Sequence, residues 1–224
     1  MHNSEALIVY GTGAHKGKNG ATGLVVLLHG YGADANDLLI HAQQLARKFP
    51  KTVFVCLQAP QICRVWPEGR QWFDLDTHSV EEYEYGVASA AKLLTREIAK
   101  LQADYDVTAS KTAVLGFSQG AMVALQAGLF ELPQLAGVMA FSGKLAYVPQ
   151  KQNEVKSRPQ VLLVHGSEDT VVEPHNLELS RMALDCLRVP VESYSISGCG
   201  HEIDFEGLRL AQGFLQQVLN AAWQ

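Results

Sequence analysis

The sequence predicts an α/β fold: a mostly parallel central sheet with helices on both faces. Short β-rich apolar runs alternate with helical patterns along the whole chain, the order expected of a sheet wound with crossover helices. Several of those runs are apolar on both faces, Val25–Leu28 and Val161–Val164 most clearly, as strands buried from both sides must be. The length of 224 residues, with 47% hydrophobic and 18% charged side chains, suits one compact unit with its own core. No linker, repeat or low-complexity stretch divides it, so residues 1–224 are read as a single domain.

The elements follow in order. Ala6–Tyr10 and Gly23–His29 read as the first two strands. Leu38, Ala42, Leu45 and Phe49 step by four, three and four, the stripe of a helix that Pro50 ends. Thr52–Leu57 is the third strand. Val80, Tyr83, Val87, Ala90, Leu94, Ile98 and Leu101 form a long helical stripe, and Ser79 with Glu82 has the spacing of a capping box. Strands are then expected at Thr112–Phe117, Leu135–Ser142 and Gln160–His165. Leu179, Met182, Ala183 and Cys186 are read as the buried stripe of the next helix, with Cys186 in the core. Val191–Ile196 is the last strand, and Leu208, Ala211, Leu215, Val218 and Leu219 mark the last helix.

Composition narrows the function. The formal charge is −5, from 18 basic and 23 acidic side chains, and no Lys/Arg run occurs. That argues against nucleic acid or a polybasic membrane contact as the main business of the chain. Met1–Tyr10 has no basic stretch followed by an apolar core, so no signal peptide is read. The longest apolar run, Leu24–Leu28, is far below the roughly 20 residues of a membrane span. Cys56, Cys63, Cys186 and Cys199 fit neither a zinc site nor a redox pair and are read as free thiols of a cytoplasmic protein, the alternative being a disulfide between two of them. A homodimer is compatible with the sequence but not read from it.

In a sheet of this kind, ligands bind at the carboxyl ends of the strands. The loop after Thr112–Phe117 reads Gly116-Phe117-Ser118-Gln119-Gly120, a G-x-S-x-G pattern entered by a strand and left by a helix. That setting is what a nucleophile elbow requires. Gly116 and Gly120 avoid a clash with the following helix, Ala121 and Ala124 keep that helix close, and Ser118 is left exposed at its N-terminus. The competing reading is a serine that merely caps the helix. Serine needs a base, and the chain supplies His201 in a glycine-flanked loop after the last strand. An acid should precede it. Asp169 is favoured over its neighbours Glu168 and Glu173, because the aliphatic pair Val171-Val172 can fix the loop beneath it. The order Ser118, Asp169, His201 is that of hydrolases with this elbow.

The loop after Gly23–Leu28, His29-Gly30-Tyr31-Gly32-Ala33-Asp34-Ala35, also fits a dinucleotide fingerprint. That reading needs an acidic residue near the end of the next strand, and Thr52–Gln58 offers none. A flexible turn that lends a backbone N–H to an oxyanion hole fits better. The donors would be the main-chain N–H groups of Tyr31 and Gln119.

These motifs together make the chain similar to α/β-hydrolases of the phospholipase/carboxylesterase family, which includes acyl-protein thioesterases. The likeness runs nearly end to end: Leu28–Asp34, Gln58-Ala59-Pro60 with Trp72-Phe73-Asp74, Gly116–Gly120, His165-Gly166 with Asp169, and Gly200-His201 with Ile203–Leu208. The resemblance implies Ser118, Asp169 and His201 as the triad, Tyr31 and Gln119 as oxyanion donors, no cofactor or metal, and no large cap domain. One departure is Glu173, where many relatives carry proline.

The activity expected is hydrolysis of carboxylic esters with short to medium acyl chains through an acyl-enzyme; acyl thioesters and lysophospholipids are further candidate substrates. The long Gln58–Asp76 segment carries Ile62, Val65, Trp66, Trp72 and Phe73, read as an acyl-chain groove; the rival reading is that they plug the core. A carbon–carbon hydrolase or peptidase of the same fold, or a non-catalytic binding protein, are the alternatives.

Overall fold

The computed structural model describes residues 6–77, 79–149 and 154–220, so the first half of the N-terminal stretch read above lies outside the described residues. Seven strands form the main sheet: β1 (Leu7–Tyr10), β2 (Gly23–Leu28), β3 (Thr52–Leu57), β6 (Thr112–Phe117), β7 (Gly137–Phe141), β8 (Gln160–Gly166) and β9 (Val191–Ile196), in the order β1-β3-β2-β6-β7-β8-β9. β1 runs antiparallel to β3, and every other pairing is parallel. β2, β3, β6 and β7 lie inside the sheet and are almost wholly buried, whereas the edge strands β1 and β9 alternate between covered and exposed residues. Burial on both faces is why the inner strands read as continuous apolar runs.

Two layers of helix cover the sheet. Helices α2 (Val80–Tyr105), α3 (Gln119–Gln126) and α4 (His175–Cys186) pack on one face, with Val87, Leu94, Ile98, Val123 and Leu184 in that core. Helices α1 (Leu39–Ala46) and α5 (Phe205–Asn220) pack on the other, contributing Ala42, Leu45, Ala211 and Leu215. The first helical stripe is buried as its spacing predicts, but only Leu39–Ala46 is α-helical. A single 3₁₀ turn, Ala35–Leu38, precedes it, and the helix stops before Phe49, which is buried all the same.

Two expectations need correction. At the start of α2, Ser79 does accept a hydrogen bond from the Glu82 N–H, at 3.1 Å. The Glu82 carboxylate, however, accepts from the N–H groups of Asp76 and Thr77 and so ties the preceding loop to the helix instead of closing the capping box. In α4 the stripe Leu179, Met182, Cys186 is exposed, and Cys186 is not core. The buried face is Ser180 and Leu184, flanked by the partly covered Leu177 and Ala183. A serine concealed that face in the sequence. Ser180 sits in the core because its hydroxyl accepts from the Leu145 N–H at 2.9 Å.

The sheet order places the site. From β2 the chain passes to β3 on one side and then, through α2, to β6 on the other side of β2. The strand order therefore reverses between β2 and β6. Their two departing loops face each other across that crevice, where ligands bind in open α/β sheets. Between β3 and α2, the described residues carry a small hairpin, β4 (Gln61–Ile62) with β5 (Arg70–Gln71), and no larger element.

Candidate active site

The turn from β6 into α3 is as tight as its glycines predict. A Cβ on Gly116 would lie 2.2 Å from the Gly120 carbonyl oxygen, and one on Gly120 would lie 2.2 Å from that of Leu28. Ser118 takes φ +54° and ψ −117°, a conformation that costs a non-glycine residue of order 1–3 kcal/mol and is held by its surroundings. Its N–H donates to the Phe141 carbonyl at 2.8 Å, and its own carbonyl accepts from Ala121 at 3.0 Å. The hydroxyl makes no capping bond to α3, which removes the reading of Ser118 as a simple helix cap.

His201 stands on the loop after β9. Its ring packs on that of Phe117, the residue before Ser118, with centroids 4.8 Å apart. On its far side, Nδ1 meets Asp169 Oδ2 at 2.7 Å. Asp169 is buried in the turn that follows β8, and its other oxygen accepts from the N–H groups of Val171 at 2.8 Å and Val172 at 2.9 Å. The aliphatic pair thus fixes the acid through its backbone; the Val171 side chain points to solvent. Burial alone would raise the Asp169 carboxyl, but the His201 bond, those two N–H groups and the imidazole charge outweigh it and hold it below the ordinary range. The carboxylate is therefore charged wherever His201 needs orienting. Glu168 and Glu173 are both exposed, and Glu173 pairs with His175.

A second histidine, His165, is buried beside this acid. Its Nε2 lies 2.7 Å from the Val172 carbonyl and 3.2 Å from Asp169 Oδ2. Because a carbonyl only accepts, Nε2 carries a proton and closes the acid loop on itself.

The main-chain N–H groups of Tyr31 and Gln119 have no acceptor among the described residues, although the neighbouring amides of Gly32 and Ala33 are bonded. Both loops are braced from behind. The Gln119 side chain accepts from the Trp72 N–H and donates to the Phe73 carbonyl, each at 2.8 Å. His29 is buried and neutral, its pKa lowered by burial. Its Nδ1 donates to the Gly30 carbonyl at 2.7 Å and its Nε2 accepts from the Ala59 N–H at 3.1 Å, so one tautomer is specified. The Trp72 indole N–H donates to the His29 carbonyl at 2.9 Å. Sequence reading missed His29, His165 and the Gln119 side chain as supports. The sign available was only that these polar residues sit among apolar neighbours, His29 and His165 at strand ends and Gln119 at the start of α3.

The five groove candidates divide. Trp72 is 5% exposed and Phe73 is equally buried in the core under α2, so both serve packing. Ile62, Val65 and Trp66 are exposed, Trp66 at 63%. Trp66 also lies against the turn that follows β2, where a Cβ on Gly32 would meet its Cδ1 at 3.1 Å. Among the described residues, no three His, Cys, Asp or Glu side chains gather as a metal site.

A strained serine elbow, an imidazole with a buried acid behind it and two unspent main-chain N–H groups define a serine-hydrolase type of site on an α/β-hydrolase fold. Comparison with known proteins agrees. Residues 14–219 match the phospholipase/carboxylesterase family, and the chain belongs to that family of hydrolases. Among curated relatives, the esterase YpfH of Escherichia coli (strain K12) is 26% identical, the match covering 88% of this chain and 83% of that protein. Acyl-protein thioesterase 1 of Schizosaccharomyces pombe is 27% identical over 89% of this chain and 92% of its own. Among solved structures, esterase PE8 is 35% identical with a TM-score of 0.88, covering 96% of this chain and 99% of that one.

Proposed function

We propose that the protein hydrolyses carboxylic esters of short to medium acyl chain through an acyl-enzyme on Ser118. The observation that carries this reading is the 2.7 Å bond that His201 Nδ1, on the loop that meets the Ser118 elbow, donates to Asp169. His201 Nε2 takes the Ser118 proton as the hydroxyl attacks the carbonyl carbon. Asp169 keeps Nδ1 protonated and stabilises the imidazolium. The main-chain N–H groups of Tyr31 and Gln119 receive the oxyanion, a contribution usually near 3 kcal/mol per donor. His201 then protonates the departing alcohol, and water enters to release the acid by the same steps in reverse. Relatives named esterase and acyl-protein thioesterase support this reading and bring acyl thioesters into the range of substrates; the family's description as phospholipase/carboxylesterase keeps lysophospholipids there as well. We place the protein in the cytoplasm, where the thiols of Cys56, Cys63 and Cys199, buried and joined to no other cysteine, suit a reducing compartment.

The test is to trap the intermediate. Acid quenching during turnover of p-nitrophenyl butyrate should yield protein heavier by one butyryl group, on the peptide containing Ser118. A protein that never acylates while releasing p-nitrophenol would point to direct water attack, and one that releases none would be a binding protein.

The acyl chain is read to lie along Ile62, Val65 and Trp66, with up to about 0.8 kcal/mol gained for each methylene covered. Trp66→Ala is expected to flatten the dependence of kcat/KM on chain length from acetate to dodecanoate esters while sparing the acetate. Trp72→Ala should instead destabilise the protein by about 3–5 kcal/mol, read from urea unfolding, since it empties a core position and orphans the His29 carbonyl. Parallel chain-length profiles for Trp66→Ala and its parent would place the acyl chain elsewhere.

A further inference from the structure

Around the His201 imidazole lies a cavity of about 310 Å³ to which the reading above assigns no part of the substrate. No residue of the 58–76 segment lines it. Its walls are the oxyanion loop at Gly30 and Ala33, the helical turn at Leu38 and His41, and the loop that carries His201, Glu202 and Ile203. This position fixes its role in ester cleavage. With the carbonyl oxygen on the Tyr31 and Gln119 N–H groups, the leaving oxygen must face the imidazole that protonates it. The cavity contains that imidazole and continues beyond it.

The lining states what the leaving group should be. Leu38, Phe117 and Ile203 give it apolar walls. Asp37 and Glu202 add two carboxylates, and no Lys or Arg lines it. Glu202 makes no ion pair or hydrogen bond among the described residues, and Asp37 only accepts from the Asp34 N–H at 3.2 Å. His41 also lines the cavity, and its Nδ1 is shielded from solvent with no protein partner. Buried polar atoms without partners are uncommon and ask for an explanation. Single carboxylates at a surface attract a cation weakly, but two at one cavity with apolar walls focus their field on what fills it.

We propose that this cavity is the leaving-group subsite and that it selects esters of amino alcohols, with Asp37 and Glu202 as the specificity-determining residues. The proposal rests on the triad reading above. An alcohol with an apolar body and a cationic head matches both halves of the lining, and the aromatic ring of Phe117 adds a surface that cations favour.

A matched pair of substrates tests it: butyrylcholine and neohexyl butyrate, its uncharged isostere. The two esters differ in intrinsic reactivity, so the readout is the ratio of their kcat/KM values in the parent against that in the double variant Asp37→Asn, Glu202→Gln, where the intrinsic difference cancels. The ratio is expected to fall about fivefold in the variant, and the parent's preference should weaken as salt is added. Both side chains are exposed, and asparagine at position 37 keeps an acceptor for the Asp34 N–H, so the variant should fold. Equal ratios overturn the subsite. Fluorophosphonate labelling of both proteins separates the two readings: labelling with unchanged ratios strikes the subsite alone, whereas no labelling strikes the triad and takes the subsite with it. Should neither ester turn over, protection against labelling by choline and by neohexanol reads the cavity directly, and equal protection by the two overturns the proposal.

Discussion

Ser118→Ala should abolish labelling by a fluorophosphonate probe and lower kcat on p-nitrophenyl butyrate by about 10⁶, the scale known for loss of the nucleophile in a serine protease. The size follows from the roles assigned. Without the hydroxyl no acyl-enzyme forms, and the oxyanion donors and substrate binding sustain only the residual catalysis of attack by water. Stability should hardly change, within about 0.5 kcal/mol, because the hydroxyl caps nothing and alanine must adopt the same φ +54° at no greater strain. The measurement is labelling and turnover beside thermal unfolding. Intact folding with undiminished labelling would remove Ser118 from the mechanism.

Much of the candidate site's geometry was legible because it is set by the main chain, which glycine and strand signals reveal. The elbow could be read from Gly116 and Gly120 since a Cβ at either position would strike a carbonyl oxygen at 2.2 Å. The inner strands could be read because burial on both faces confines polar residues to the ends of the run, as with Thr52 in β3, Thr112 in β6 and His165 in β8. What escaped are polar side chains that hold loops to one another. Ser180 broke the apolar stripe of α4 and so sent the reading to the wrong face. His29 and Gln119 act at sequence separations of 30 and 47 residues, through bonds to Ala59 and Trp72 that no local pattern encodes. Trp72 and Phe73 were read with Trp66 as one aromatic cluster, although folding sends the first two inward. Spacing along an irregular segment carries no face information, because that segment has no fixed period.

On the proposed reading, these supports let the Gly30–Ala33 loop act as an oxyanion hole without moving. His29 and Trp72 lock its start, the Gly32 N–H donates to the Arg70 carbonyl at 2.8 Å, and the Arg70 N–H returns a bond to Ala33 at 2.8 Å. Donors held in this way meet the developing charge without reorganising, which is where most of the electrostatic benefit in such sites arises. The small β4–β5 hairpin pins the backbone of this loop, which is how it would serve the proposed chemistry.

Asp169→Asn should lower kcat by about 10⁴ while Glu168→Gln stays within about twofold of the parent; the larger figure is that of the orienting aspartate in a serine protease. The two carboxylates are adjacent in sequence and opposite in circumstance. Asp169 is buried, receives the Val171 and Val172 N–H groups on one oxygen and faces His201 Nδ1 with the other. In the asparagine variant the carbonyl oxygen would keep the two valine N–H bonds, which leaves the NH₂ group toward His201. Nδ1 must then become the acceptor, the ring proton moves to Nε2, and Nε2 can no longer take the Ser118 proton. The protonated Nε2 of His165, 3.2 Å from the same oxygen, would meet a second donor there, so the misfit cannot be relieved by turning toward it. Glu168 contributes its main-chain N–H to the Cys199 carbonyl at 2.9 Å, and its exposed side chain touches none of this. Single-turnover acylation would show the loss directly, since Asp169 acts on proton removal and not on binding, so KM should move far less than kcat. If Glu168→Gln proved the costlier change, the acid would have to reach His201 from the exposed side of the loop, and the tautomer argument built on Asp169 would fall.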